Sequence, residues 1–80
     1  MPLKFKIVGR DGLLAEEIVD FCEIPAESGI EGVLPGHINF ISNVNKGVVK
    51  YKIGKTVQEI NINGGFVEIS NDFINILVKL

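Results

Sequence analysis

Eighty residues, 46% of them hydrophobic, are enough for one small domain with a single core. The formal net charge of -2 and the scattering of the eight basic residues exclude the basic patch that marks a nucleic-acid-binding protein. No apolar stretch reaches the roughly 18–20 residues that span a bilayer, and the N-terminus has no apolar region of the signal-peptide kind. The single cysteine, Cys22, cannot form an internal disulfide, which suits a reducing cytoplasm.

The composition favours strands over helices. Isoleucine and valine make up 21 of the 80 residues, whereas alanine occurs only twice. β-branched side chains lose rotamer freedom in a helix and pack well on a pleated sheet. Residues 12–20 have weak helical potential, but Gly12 and the β-prone residues after it limit this segment to a turn at most.

Alternating apolar and polar residues predict short strands along the whole chain. The first strand shows the pattern clearly, because Leu3, Phe5 and Ile7 alternate with lysines. Pro25 is expected to end the second strand. The predicted strands cover residues 3–9, 18–24, 38–44, 49–53, 56–62, 66–70 and 73–79.

Glycine and asparagine mark the predicted turns between these strands. Asn45-Lys46-Gly47 predicts a three-residue hairpin, and Gly54-Lys55 predicts a two-residue type II′ turn. Asn63-Gly64-Gly65 permits a bend or bulge, and Asn71-Asp72 suits a type I′ turn. Strands joined this tightly predict an all-β protein, a small antiparallel β-sandwich or flattened barrel that forms one domain over residues 1–80.

Gly54-Lys55-Thr56 resembles the end of a phosphate-binding loop. That motif requires another glycine five positions before Gly54, where this chain has Val49. It also joins a strand to a helix, whereas here it is expected to join two strands. We therefore expect no nucleotide site and no bound cofactor.

Cys22 and His37 are the only residues of their types. A Cys–His nucleophilic pair is conceivable, since such partners need not be adjacent in sequence. Cys22 lies within a predicted strand, however, where cysteine commonly behaves as a small buried apolar residue. His37 is expected to order its loop by hydrogen bonding, and one histidine without clustered ligands makes a poor zinc site. No catalytic residue and no metal site are predicted, and the protein is not expected to be an enzyme.

The segment from Pro25 to His37 has a distinct composition. It contains two prolines and three glycines in thirteen residues, yet Ile30, Val33 and Leu34 are apolar. One interpretation is a long crossover between sheets whose apolar residues cover the core. The other is a rigid docking loop, because binding residues concentrate on exposed loops of rigid scaffolds.

The same segment carries a family resemblance. G-I-E-G-V-L-P-G-H, from Gly29 to His37, resembles the signature loop of the epsilon subunit of F-type ATP synthases. The stretches I-V-D-F-C-E-I-P, N-K-G-V-V and N-G-G-F-V-E-I-S-N-D-F-I-N-I-L resemble the family in register, so the likeness covers essentially the whole chain. Ile38-Asn39-Phe40 departs from the family's usual Ala-Pro-Leu. Family members also continue into a helical hairpin, whereas this sequence stops at Leu80.

The resemblance implies a non-catalytic subunit of the rotating central stalk. Such a subunit binds the gamma subunit and the c-ring at the cytoplasmic face of the bacterial plasma membrane, and it couples proton or sodium flow to ATP synthesis. The family's inhibitory and ATP-sensing roles belong to the helical hairpin and are not carried over. The resemblance places the docking surface on Ser28, Gly29, Ile30, Glu31, Gly32, Pro35, Gly36 and His37. From the residues alone, a small cytoplasmic β-sandwich for protein interaction or carbohydrate binding remains an alternative.

Overall fold

The computed structural model describes residues 2–79, and within them it contains seven strands and no helix. No helix in this range is therefore long and apolar enough to cross a membrane. The all-β prediction is confirmed. The strands are β1 (Leu3–Gly9), β2 (Gly12–Val19), β3 (Phe21–Ala26), β4 (Gly29–Val33), β5 (Phe40–Ile53), β6 (Thr56–Ser70) and β7 (Phe73–Val78).

The strands form one continuous sheet in the order β2-β1-β7-β6-β5-β3-β4. Every pairing is antiparallel except that of β1 with β7, which is parallel. β5 and β6 are 14 and 15 residues long, and they take part in two layers. The second half of β6 pairs with β7, next to β1 and β2. β3, next to β4, pairs mainly with the second half of β5, with one further pair between Ala26 and Val44.

The core lies between the two layers. The inward side chains of β1 are Leu3, Phe5 and Ile7, which are at most 1% exposed, as the alternation in the sequence predicts. Phe5 packs on Tyr51 of β5 with 4.5 Å between ring centroids, and this contact joins the two layers. The other buried apolar residues are Val19, Cys22, Ile24, Ala26, Val33, Val44, Val49, Ile62, Val67, Ile69, Ile74, Ile76 and Val78.

β6 passes very close to β7 at Gly65. A Cβ atom at this position would collide with the backbone carbonyl of Leu77. The neighbouring backbone is also tied across, because Asn63 N donates to Lys79 O at 2.7 Å and Lys79 N donates to Gly64 O at 2.8 Å. The predicted irregularity at 63–65 is thus a bend inside one continuous strand, where only glycine fits beside β7.

Two predicted turns are confirmed. Gly54-Lys55 joins β5 to β6, and Gly54 has φ 60 with Ile53 paired to Thr56, which fits the type II′ turn. Asn71 and Asp72 join β6 to β7 with φ 51 and 64, the two positive values that a type I′ turn requires.

The prediction for residues 12–20 was wrong, because this segment is mostly strand β2. Val8 pairs with Leu13 and Ile7 pairs with Ala15, so Leu14 is an extra residue in a β-bulge. The bulge shifts the side-chain alternation by one position and leaves both leucines exposed. The period-of-two pattern that signals a strand is therefore broken in the sequence.

The hairpin predicted at Asn45-Lys46-Gly47 is also wrong, because β5 continues through it with Lys46 paired to Asn63. Pro25 does not end β3, which runs to Ala26. These two errors share one cause. A Cβ at Gly47 would lie 3.2 Å from the Pro25 ring, so this glycine allows β3 to approach β5 rather than forming a turn.

Candidate docking surface

The predicted docking loop, residues 28–37, is half strand. Residues 29–33 form β4, which pairs with β3 through a tight turn at Glu27 and Ser28. Pro25 pairs with Ile30, and Ile24 pairs with Glu31. Only residues 34–39 form an irregular loop before β5. The interpretation of residues 25–37 as one long loop is therefore wrong. Residues 29–33 are hydrogen-bonded to β3 as a strand at the edge of the sheet.

Successive residues of β4 face opposite sides of the sheet. Ile30 points outward and is 73% exposed. Glu31 and Val33 lie on the inner side, Glu31 half-buried and Val33 fully buried. Of the three apolar residues expected to cover the core, Val33 does so. Ile30 and Leu34 are exposed.

The loop after β4 is built around Pro35 and Gly36. His37 N donates a hydrogen bond to Leu34 O at 3.1 Å, which closes a four-residue turn. Pro35 is the first central residue of this turn, and its ring restricts φ to the value that a type II turn needs. Gly36 is the second central residue and has the positive φ, 87, of a type II turn. Gly36 N donates to Asp72 Oδ1 at 2.8 Å, so the turn is also tied to the β6–β7 connection.

The His37 ring ties this loop to β4. Its Nε2 lies 2.8 Å from Glu31 Oε2 on β4, and its Nδ1 lies 2.6 Å from Ile38 O. The Phe40 ring packs edge-on against it with 6.0 Å between centroids. The hydrogen bond to the Glu31 carboxylate raises the pKa of His37 above 6.5, although burial of the ring acts in the opposite direction. The prediction that His37 orders its loop is confirmed.

The β3–β4 turn is anchored to β5 on its other side. Glu27 N donates to Asn43 O at 3.0 Å, and the Asn43 amide donates to Glu27 Oε2 at 3.0 Å. The Asn45 amide donates to Ala26 O at 3.2 Å. Hydrogen bonds on both flanks thus tie the segment from residue 27 to residue 39 to the rest of the sandwich.

Three apolar side chains project from this braced segment. Ile30, Leu34 and Ile38 are 73%, 58% and 78% exposed, and together we call them the tip surface. Leu34 lies within the predicted loop but was not among the individually predicted docking residues, and Ile38 lies one residue beyond that loop. The sequence feature that could have identified them is an apolar residue within or next to a Gly- and Pro-rich segment. The predicted residues Ser28 (turn), Gly29, Ile30, Glu31 and Gly32 (β4) and Pro35, Gly36 and His37 (loop) all lie in the same segment.

A second exposed apolar surface lies on the outer face of the other layer. Phe66 pairs with Leu77, Leu77 with Val8, and Val8 with Leu13, so one residue from each of four strands lies side by side. We call these four residues the apolar row. Leu77 is 57% exposed and Leu13 54%, and sequence reasoning missed this surface because the register of the strands was needed to align it.

The residues considered for catalysis do not assemble. Cys22 is fully buried, and burial raises the pKa of its thiol to about 12, which disfavours the nucleophilic thiolate. The contacts of the His37 ring are with Glu31, Ile38 and Phe40. Gly54-Lys55 joins two strands, which is not the setting of a phosphate-binding loop. Residues 2–79 contain no cluster of metal-ligating side chains.

Comparisons with known proteins give a consistent picture. The family model for the ATP synthase delta/epsilon chain β-sandwich domain matches residues 2–79. ATP synthase epsilon chains of Nitratidesulfovibrio vulgaris, Syntrophobacter fumaroxidans and Bacillus subtilis are 38%, 37% and 34% identical to this chain. These alignments cover 96%, 94% and 96% of the chain and 58%, 56% and 58% of the respective relatives. The chain thus spans little more than half the length of these relatives.

Solved structures share the fold. A chain in the Euglena gracilis mitochondrial ATP synthase, in a structure of OSCP, F1 and the c-ring, superposes with a TM-score of 0.89 at 22% identity. A chain in the central stalk and c-ring of the Tetrahymena thermophila mitochondrial ATP synthase superposes with a TM-score of 0.80 at 10% identity. The alignments cover 96% and 100% of this chain, and 50% and 65% of the chains that it matches.

Proposed function

Because the chain belongs to the ATP synthase delta/epsilon family, as an epsilon-type β-sandwich domain, we propose that it is a rotor subunit of an F-type ATP synthase. It joins the gamma subunit to the c-ring in the central stalk and so couples proton or sodium flow to ATP synthesis at the cytoplasmic face of a bacterial membrane. It has no catalytic role of its own. The observation that carries the proposal is the family match over residues 2–79.

The tip surface is proposed to meet the c-ring. Binding residues concentrate on exposed segments that a rigid scaffold positions, and exposed apolar side chains on such a segment are candidates for a contact with a partner. Ile30, Leu34 and Ile38 meet this condition, since hydrogen bonds to β5 and to the β6–β7 turn brace the segment that carries them. The Glu31 carboxylate is bound to His37, so the contact would be made mainly by apolar side chains.

The apolar row is proposed to meet the gamma subunit. It lies on a different part of the sandwich from the tip surface, in the layer formed by β6, β7, β1 and β2. Two separate apolar surfaces on one small domain suit a protein that joins two partners. The continuous sheet between them supplies a stiff connection for transmitting torque.

Two aspartate variants test this division. Ile30→Asp should weaken association with the c-ring and leave gamma binding unchanged, because a charge at the tip surface opposes an apolar contact. Leu77→Asp should weaken association with gamma and leave c-ring binding unchanged. Both associations are measured with the purified partners, and the melting temperature of each variant is measured alongside.

Val57 provides a matched control, because it is 55% exposed on β6 and lies outside both surfaces. Val57→Asp should bind both partners normally. If Ile30→Asp binds the c-ring as tightly as the unmodified protein, the tip surface is not the docking site. A large fall in the melting temperature of Ile30→Asp would instead assign Ile30 a structural role. If the unmodified protein binds neither partner, the rotor function itself is excluded.

A further inference from the structure

His37 has an acceptor at each ring nitrogen. Glu31 Oε2 lies 2.8 Å from Nε2, and Ile38 O lies 2.6 Å from Nδ1. A carboxylate oxygen and a backbone carbonyl can only accept hydrogen bonds. A neutral imidazole carries one N–H and can serve one of them, whereas an imidazolium donates to both. The surroundings of the ring are therefore complementary to its protonated form.

Burial of the His37 ring opposes its protonation, but none of the contacts of the ring within residues 2–79 is with a positively charged group. The Phe40 ring at the start of β5 is uncharged and contacts the imidazole edge-on. Asp72 in the β6–β7 turn is the second carboxylate linked to the loop, and its Oδ1 accepts a hydrogen bond from Gly36 N. The charged groups that the contacts of the described residues bring to this loop, Glu31 and Asp72, are thus both negative.

We propose that residues 34–39 form a pH-sensitive latch, closed when His37 is protonated and loosened when it is neutral. In the closed state the imidazolium donates to Glu31 on β4 and to the carbonyl of the next residue, Ile38, so that the loop is tied to β4 and the ring is held in one orientation. Loss of the proton leaves one of these two acceptors without its donor. The Pro35–Gly36 turn then retains the Asp72 contact and its internal hydrogen bond, but the His37 ring no longer donates to Glu31 and to Ile38 O at the same time.

The direction of the pH dependence follows from the raised pKa of His37. The pKa of the folded state lies above 6.5, the ordinary value, because the carboxylate partner favours the charged ring. The contribution of the latch is fully present below pH 6.5 and is lost as the pH rises through the pKa of the folded state. The order of the loop carrying Leu34 and Ile38 should therefore decrease on the alkaline side of neutrality.

A proton NMR titration tests the first step directly, because His37 is the only histidine and its ring protons are resolved without assignment. The expected midpoint lies above 6.5. In Glu31→Gln, which keeps the shape and an acceptor oxygen but removes the charge, the midpoint should fall by roughly half a unit to one unit. A midpoint at or below 6.5 in the unmodified protein, or an unchanged midpoint in Glu31→Gln, overturns the proposal.

Amide hydrogen exchange tests the second step. The protection factors of the Gly36 and His37 amides should fall roughly twofold to tenfold as His37 loses its proton, the range that corresponds to one lost hydrogen bond. Gly54 gives a matched internal control, because its N–H donates to Asp20 Oδ2 at 2.9 Å in a different turn. Its protection factor should not follow the titration of His37.

His37→Gln separates the latch from general effects of pH. Glutamine still donates to Glu31 but does not titrate, so the pH dependence of the Gly36 protection factor should disappear in this variant. Persistence of the same pH dependence in His37→Gln overturns the proposal. The experiment needs neither the gamma subunit nor the c-ring, so its outcome is independent of the proposed rotor function.

Discussion

Glycine has different roles in the centre of the sandwich and at the tip. At Gly65, in the centre, a Cβ atom would collide with the Leu77 carbonyl of the neighbouring strand. At Gly36, in the loop after β4, nothing lies within 4 Å of the same atom, and φ 87 alone favours glycine. The backbone at the centre is thus determined by packing between distant strands, whereas at the tip it is determined by local turn geometry.

Alanine substitutions at these two glycines should give the largest contrast. Gly65→Ala should destabilise the protein by about 3 kcal/mol or more, or prevent folding, because β7 must move away from β6. Gly36→Ala should cost about 1–2 kcal/mol, the price of a left-handed conformation for a residue with a Cβ. Urea unfolding of both variants measures the difference. If both variants lost the same free energy of unfolding, the contrast between packing at Gly65 and turn geometry at Gly36 would be wrong.

Two isoleucines on the β3–β4 hairpin should give the next largest contrast. Ile24 on β3 is 1% exposed and Ile30 on β4 is 73% exposed. Ile24→Ala should lower the free energy of unfolding by about 2–5 kcal/mol, because it leaves a cavity in the core. Ile30→Ala should change it by less than about 0.5 kcal/mol. Thermal melting of the pair checks this, and a large loss in Ile30→Ala would mean that the tip surface belongs to the core.

The smallest effect is expected at Asp72, which links the two regions. Asp72→Asn keeps a side-chain oxygen for Gly36 N and tolerates the positive φ of 64, so stability should change by less than about 0.5 kcal/mol. Asp72→Ala loses both properties and should cost about 1–2 kcal/mol. Urea unfolding distinguishes them. If Asp72→Asn and Asp72→Ala lose the same free energy of unfolding, the charge of Asp72 rather than its geometry stabilises the turn.

Local features of the fold could be predicted from the sequence. The alternation of Leu3, Phe5 and Ile7 indicated a strand, and the turns at Gly54 and Asn71 were recognisable because a two-residue hairpin needs particular residues at fixed positions. Features that depend on a distant strand could not be predicted. Gly47 was interpreted as a turn because the approach of Pro25 to β5 leaves no trace in the local pattern.

The candidate site shows the same division. The composition of the segment from Pro25 to His37 and the family resemblance indicated a docking surface, and the exposure of Ile30 supports that interpretation. The sequence could not show that Glu31 faces inward and binds His37, because this depends on the register of β4 on β3. The apolar row was hidden for the same reason, since its four residues come from both ends of the chain.

The parallel pairing of β1 with β7 also has a consequence during synthesis on the ribosome. β1 and β2 are made before β7 and can form their hairpin within microseconds. Phe73, which pairs with Lys4, is added only after another 53 residues have followed Val19. At about 5–20 residues per second this takes roughly 3–11 s. During that time the edge of β1 that will pair with β7 has no partner strand. The sheet is completed only when β7 has been made and pairs with β1.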